Sequence, residues 1–193
     1  MLKSRDINRL RADAAANCKI FLKHCKEAGL PVLVTETVRD EEYQAELYAK
    51  GRTKPGRIVT NLKRPSFHWD KVGLAFDICK NVKGHEYDDP DFFYRCGQIG
   101  KKIGFSWGGD WKGFKDRPHF QWDQKGKYTS AMVRSGKLPP KMPLYQKEVK
   151  KLTKEEEKNV LMEKAGLSAA TITYLDSYRY GDQLIKKLAA ALR

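Results

Sequence analysis

Apolar residues near the start of the chain recur every three or four positions. Ile7, Leu10, Ala14, Cys18, Phe21, Leu22 and Cys25 share one face of a helix predicted over residues 5–28. Gly29 ends it and Pro31 enforces the stop. The period then falls to two. PVLVTETV, Pro31 to Val38, is β-branched and alternating, which predicts a strand. Arg39 closes that strand. RDEEYQAELYAKGR predicts a second helix, with Asp40 as N-cap, acids in the first turn and Gly51 as its stop. Gln44, Leu47, Tyr48 and Gly51 share a face of it. Residues 51–65, rich in Gly, Pro, Thr and basic side chains, predict a mobile loop. GLAFDICK, Gly73 to Lys80, predicts a second strand. There Leu74, Phe76 and Ile78 point one way, and Ala75, Asp77 and Cys79 the other. DFFYRCGQIGKKIG, Asp91 to Gly104, predicts a third helix with Phe92, Cys96, Ile99 and Ile103 inward. FSWGGDWKGFKD reads as a structured loop and RPHFQW as a third strand. Helices and strands alternate irregularly, with long loops, so the predicted class is α+β.

The pattern weakens after Trp122. KLPPKMPLYQKE, Lys137 to Glu148, holds three of the eight prolines and reads as a linker. The expected organisation is a main domain over 1–136, a linker over 137–148 and a small helical module over 149–193. The module shows three short helical patterns broken at Gly166 and Gly181, with Ser168 and Asp182 placed as caps. Its core is small, so oligomerisation or a targeting role is expected of it. Its tyrosines Tyr174, Tyr178 and Tyr180 read first as packing and second as a sugar-binding surface.

Composition narrows the partners. The 193 residues are 40% hydrophobic, enough for one core, and carry a net charge of +14. Such a chain is drawn to a polyanion: nucleic acid, an anionic membrane or an anionic wall polymer. Both parts of the chain are basic, which suits anionic wall polymers as well as DNA, but Lys and Arg are spread along the chain and no nucleic-acid module is legible, so no nucleic-acid partner is expected. No run approaches a transmembrane length, and the N-terminus lacks the apolar stretch of a secretory signal. The expectation is synthesis in the cytoplasm without a signal peptide. Cys18, Cys25, Cys79 and Cys96 form no C-x2-C pair and read as small core residues.

Four histidines make the census short. His24 lies between lysines on the first helix, and His85 in a polar loop. His68 and His119 lie in aromatic-rich stretches near carboxylates. His68, Asp77 and His119 offer N, O and N donors, a set suited to zinc with a position left for water. Asp77 sits within an apolar strand, where a carboxylate needs a metal or a salt-bridging Lys or Arg. Asp116 is either a general base and acid or a cap paired with Arg117. Arg39 either meets an oxyanion or pairs with the adjacent Asp40, Glu41 and Glu42.

SFHWDKVGLAFD resembles the S-x-H-x-x-G-x-A-x-D signature of the M15 zinc peptidases. DRPHFQW resembles their second metal motif, with an acid three residues before the His. VRDEEYQAELY resembles their upstream R-x4-Q-x2-L-Y segment. The motifs occur in family order over roughly residues 5–130, and FSWGGDW precedes the last as in the L-alanyl-D-glutamate peptidases, mostly phage endolysins and related wall hydrolases. The resemblance implies the DD-peptidase/Hedgehog fold and zinc on His68, Asp77 and His119. It implies Asp116 as the general base and acid, and Arg39, Gln44 and Ser66 as groups that hold substrate or the oxyanion. The implied activity is hydrolysis of the peptidoglycan stem peptide at L-Ala-D-Glu, on the cell wall after release from the cell. The alternative is a non-catalytic metal-containing wall- or protein-binding module, as Hedgehog domains suggest. The chain departs from the family at one point. The family spaces its His and Gly by three and its His and Asp by seven; here the spacings are five and nine. Two residues are inserted within WDKV. Asp77 is the expected ligand if they bulge away; otherwise Asp70 is its rival.

Overall fold

A computed structural model describes residues 1–146 and 152–192. Contacts divide the chain into two units, Met1–Tyr145 and Gln146–Arg193. The end of the expected linker (147–148), the first residues of the expected module (149–151) and Arg193 lie outside the described residues.

The first unit is α+β. Its elements are α1 (Ala12–Glu27), β1 (Val32–Glu36), α2 (Glu41–Ala49), β2 (Ala75–Lys80), α3 (Pro90–Ile103), β3 (Ser106–Trp107), β4 (His119–Gln121) and α4 (Ser130–Arg134). The predicted first helix starts later than expected. Asp6 caps a 3-10 turn over Ile7–Arg9, and Leu10 and Arg11 are extended. The Arg11 N–H leaves the helical ladder to bond the Gly73 carbonyl at 2.8 Å. The α2 helix starts where Asp40 accepts from the Tyr43 N–H at 2.7 Å. Pro90 fits the first turn of α3, where its missing N–H costs nothing, and Asp89 caps it. The α4 helix has no counterpart in the sequence prediction. Thr129 caps it and its one buried side chain is Val133, too little to register as periodicity.

The four strands form an antiparallel sheet in the order β1-β2-β4-β3. One face carries the core. Phe76 lies opposite Phe120 in the register, their rings stacked 5.3 Å apart, and Phe21 of α1 packs on both at 5.4 and 4.9 Å. Cys18, Cys25 and Cys96 are buried among these apolar neighbours, and all four cysteines are free thiols.

The other face carries the chemistry. Asp77 lies opposite His119, and Ala75 opposite Gln121. On the β1 side the register slips between Val34 and Glu36, so that Glu36 pairs with Asp77. That bulge turns a charged side chain onto the face that Asp77 occupies.

The proline-rich stretch, expected as a linker, runs along α1 as far as Tyr145. Prolines lack N–H groups, so here their carbonyls accept: Pro139 and Pro140 from Arg11 at 3.0 and 2.9 Å, and Pro143 from Asn17 at 3.0 Å. The Tyr145 N–H donates to Asn17 at 2.8 Å, and the Met142 side chain is buried in the core.

The second unit holds α5 (Lys154–Ala165), α6 (Ala169–Asp176) and α7 (Gly181–Ala191) around Leu161, Ile172, Ile185 and Ala189. Thr153 and Glu156 form a capping box, and Ser168 caps α6 as expected. Asp182 is not a cap: it sits in the first turn of α7 and pairs with Lys154 at 2.8 Å. Tyr174, Tyr178 and Tyr180 are exposed rather than packed. Among the described residues no helix is long and apolar enough to cross a membrane.

Candidate active site

The insertion before Gly73 decides how the site is built. Residues 67–72 form a turn in which the Val72 and Gly73 N–H groups both donate to the Trp69 carbonyl, at 2.7 and 2.8 Å. Asp70 and Lys71 point to solvent, so the extra residues bulge away and Asp70 takes no part in the cluster. Gly73 then turns the chain back at φ +59°, and Leu74 rejoins by donating to the Phe67 carbonyl at 2.8 Å. The turn also clasps Arg39, whose N–H donates to the His68 carbonyl at 2.8 Å and whose carbonyl accepts from Asp70 at 3.0 Å.

The side chains of His68, Asp77 and His119 converge, each offering a ligand atom within 4.8 Å of the others. His68 Nε2 lies 3.1 Å from His119 Nδ1, and Asp77 Oδ1 lies 3.3 and 3.1 Å from those nitrogens. The outer ring nitrogens are committed. His68 Nδ1 donates to the Thr37 carbonyl at 2.8 Å, and His119 Nε2 to Gln121 Oε1 at 2.9 Å. A carbonyl can only accept, so in the neutral imidazoles both inner nitrogens present lone pairs, as a metal requires. Two imidazole lone pairs and a carboxylate facing one another in a buried site suit a cation.

Without a cation the same groups attract protons instead: burial opposes ionisation of Asp77, but positive charge on the facing His68 and the hydrogen bonds that His119 and His68 donate in their charged forms outweigh it and hold its carboxyl well below the usual range. Burial also opposes a charged His119, yet Asp77, with Asp116 and Gln121 behind it, outweighs that and raises the imidazole above its ordinary value.

Asp116 reaches the same cleft by a turn. In a regular strand it would face away from His119. Instead the His119 N–H donates to the Asp116 carbonyl at 3.2 Å, closing a turn over Arg117 and Pro118. Burial pushes the Asp116 carboxyl above its usual range, and the nearby His119 pulls part of that back.

Arg39 does not pair with the acids next to it. Asp40 is engaged as the α2 cap, and the Arg39 guanidinium instead contacts Glu36, a nearly buried acid the sequence reading did not single out. A glutamate inside a strand of valines was the available signal. Gln44 is buried and its amide donates to the Leu62 carbonyl at 2.6 Å, tethering the loop before Ser66. Arg39 Nε, Gln44 Oε1 and Ser66 Oγ are buried without partners. All seven predicted site residues line one cleft of about 1120 Å³. Of the remaining histidines, His24 is half-buried with its edge on Tyr145, and His85 pairs with Asp88 at the surface.

Residues 60–122 match a Peptidase M15 family model described as D-alanyl-D-alanine carboxypeptidase. The chain is 40% identical over 104 residues to the peptidoglycan L-alanyl-D-glutamate endopeptidase CwlK of Bacillus subtilis (strain 168), covering 48% of this chain and 61% of that one. It is 33% identical over 130 residues to the L-alanyl-D-glutamate peptidase of Listeria phage A118, covering 65% and 42% respectively. The chain thus spans less than two thirds of either relative. Among solved structures, the L-Ala D-Glu endopeptidase ChiX of Serratia marcescens is similar with a TM-score of 0.49 at 22% identity, over 66% of this chain and 93% of that one. The segment that brings His68, Asp77 and His119 together is thus similar in sequence to the M15 peptidases, over residues 60–122 for the family model.

Proposed function

We propose that the protein is a peptidoglycan hydrolase that cleaves the stem peptide between L-Ala and D-Glu, with zinc held by His68, Asp77 and His119. The observation that carries this is the convergence of His68 Nε2, Asp77 Oδ1 and His119 Nδ1 in a cleft that Asp116 and Arg39 also line. The names of the two sequence relatives support the choice of bond. When bound, zinc supplies Lewis-acid polarisation of the scissile carbonyl and acidifies a water.

The remaining steps fall to the chain itself. Asp116 removes a proton from the attacking water as its oxygen bonds to the carbonyl carbon. It returns that proton to the departing D-Glu nitrogen as the C–N bond breaks. A carboxyl whose affinity for protons is raised by burial suits both halves of that exchange. Arg39 faces the oxyanion that forms between the two events. Gln44 Oε1 and Ser66 Oγ hold the peptide. Buried polar atoms without partners cost about 1–3 kcal/mol each, and a bound peptide amide relieves that.

The net charge of +14 supports a second attraction, to anionic wall polymers, and the second unit is the part we assign to wall targeting or self-association. The setting is the bacterial wall after release from the cell. The test is mass analysis of fragments from a defined muropeptide. Expected are cleavage at L-Ala-D-Glu, loss on chelation, return with zinc, and a folded but inactive Asp116→Ala. Cleavage by Asp116→Ala at the parent rate, or at a different bond, overturns the reading.

A further inference from the structure

His119, Gln121 and Asp123 alternate along β4 and its continuation, while Phe120 and Trp122 point into the core. The three polar residues are buried and linked in series. His119 Nε2 donates to Gln121 Oε1 at 2.9 Å, and Gln121 Nε2 donates to Asp123 Oδ2 at 2.7 Å. Asp123 Oδ1 in turn accepts from Ser106 Oγ at 2.5 Å and the Gly126 N–H at 2.8 Å. Every group around Asp123 is a donor. A carboxylate can only accept, so Gln121 must turn its NH2 toward Asp123 and its carbonyl oxygen toward His119. That carbonyl oxygen in turn requires a proton on His119 Nε2, which leaves Nδ1 bare and aimed at Asp77 and His68.

We propose that Gln121 and Asp123 are positioning residues: together they lock His119 in the tautomer whose Nδ1 ligates the metal. The inference rests on the metal reading of the cluster. Asp123 does not line the cleft, so its influence on the site passes through Gln121. His68 needs no such relay, because the Thr37 backbone carbonyl fixes its tautomer directly. Partners of this kind at metal-binding histidines change affinity by about 10–100-fold when removed.

The relay also fixes the direction in which a substitution acts. In Asp123→Asn the side-chain oxygen still accepts from Ser106 and Gly126, so the new NH2 faces Gln121. Gln121 then turns its oxygen to that NH2 and its own NH2 to His119. His119 Nε2 becomes an acceptor and the proton moves to Nδ1, where it blocks ligation. Adding Gln121→Glu corrects this, because a carboxylate accepts from both the introduced amide and His119 Nε2–H.

Two measurements test it. Zinc affinity by chelator competition is expected to fall about 10–100-fold in D123N and to recover in D123N/Q121E. Long-range proton–nitrogen NMR of the metal-free protein, at alkaline pH where imidazole is neutral, is expected to show Nε2–H on His119 in the wild type. It should show Nδ1–H, or a mixture, in D123N, and Nε2–H again in the double variant. A merely structural Asp123 would not be rescued by a second change that leaves the first in place. Wild-type affinity and tautomer in D123N, or no rescue in D123N/Q121E, overturns the proposal. If the wild type binds no zinc, the metal reading fails, while the tautomers still decide the relay.

Discussion

Glu36→Ala tests whether the site depends on an acid that takes no direct part in the proposed chemistry. The Glu36 side chain is 8% exposed and that of Arg39 15%. Arg39 Nε already lacks a partner, and Lys3 stands at 3.9 Å from the other Glu36 oxygen. Removing the acid leaves a guanidinium in a nearly closed setting. Breaking a buried pair from one side costs about 3–5 kcal/mol, and the residual exposure of Arg39 places this case near about 3. For a domain near 150 residues that corresponds to a fall in Tm of roughly 6–12 °C, measured by calorimetry. Muropeptide turnover gives the second readout. An arginine that has lost its anchor misplaces its charge by an ångström or more, which lowers kcat on the order of 100-fold. Arg39→Ala removes the charge altogether and costs about 100–1000-fold. Because the two side chains form one unit, E36A/R39A should be more stable than the sum of the single changes by about 0.5–3 kcal/mol. An unchanged Tm in E36A, additive stabilities, or parental kcat in E36A would each refute the reasoning.

Two further outcomes follow from the same geometry. Gly73→Ala forces a side chain into φ +59°, with its Cβ 2.8 Å from the Arg11 backbone nitrogen. The left-handed conformation alone costs about 1–2 kcal/mol, so a clear drop in Tm with weakened zinc binding is expected, and a neutral variant would show that the turn does not hold Asp77 in place. The metal-free protein should also show a stability profile set by His119 and Asp77. The raised His119 value gives a contribution fully present below about pH 6.5 and lost as pH rises through the folded value. The lowered Asp77 value gives one present above about pH 3.9 and lost as pH falls through its folded value. Chemical denaturation across pH should therefore show a maximum between these limits, with the alkaline loss absent in Asp77→Asn and offset by saturating zinc. A flat profile for the metal-free parent would contradict the pairing.

Much of this protein was legible along the chain. Periodicity located α1, β1, β2 and α3, where apolar side chains recur at 3.6 or 2, while the Asp40 cap and the Gly51 stop located α2. The ordered motifs named His68, Asp77, His119, Asp116 and Arg39, and the chain brings all five to one cleft. What stayed hidden depends on contacts between residues distant in sequence. Motif spacing left Asp70 and Asp77 as rivals; the turn that exposes Asp70 and the register that sets Asp77 against His119 separated them. The acids beside Arg39 looked like its partners, until the β1 bulge brought Glu36 onto the same face. The prolines after Lys137 read as a linker because composition reports local stiffness. Only tertiary structure shows their carbonyls meeting donors on a helix more than 120 residues earlier in the chain. The sequence by itself determined which groups this protein has for its chemistry, since side-chain type and local period are local properties. Register, bulge and turn decided which of them meet, because these are set by long-range pairing that no single segment encodes.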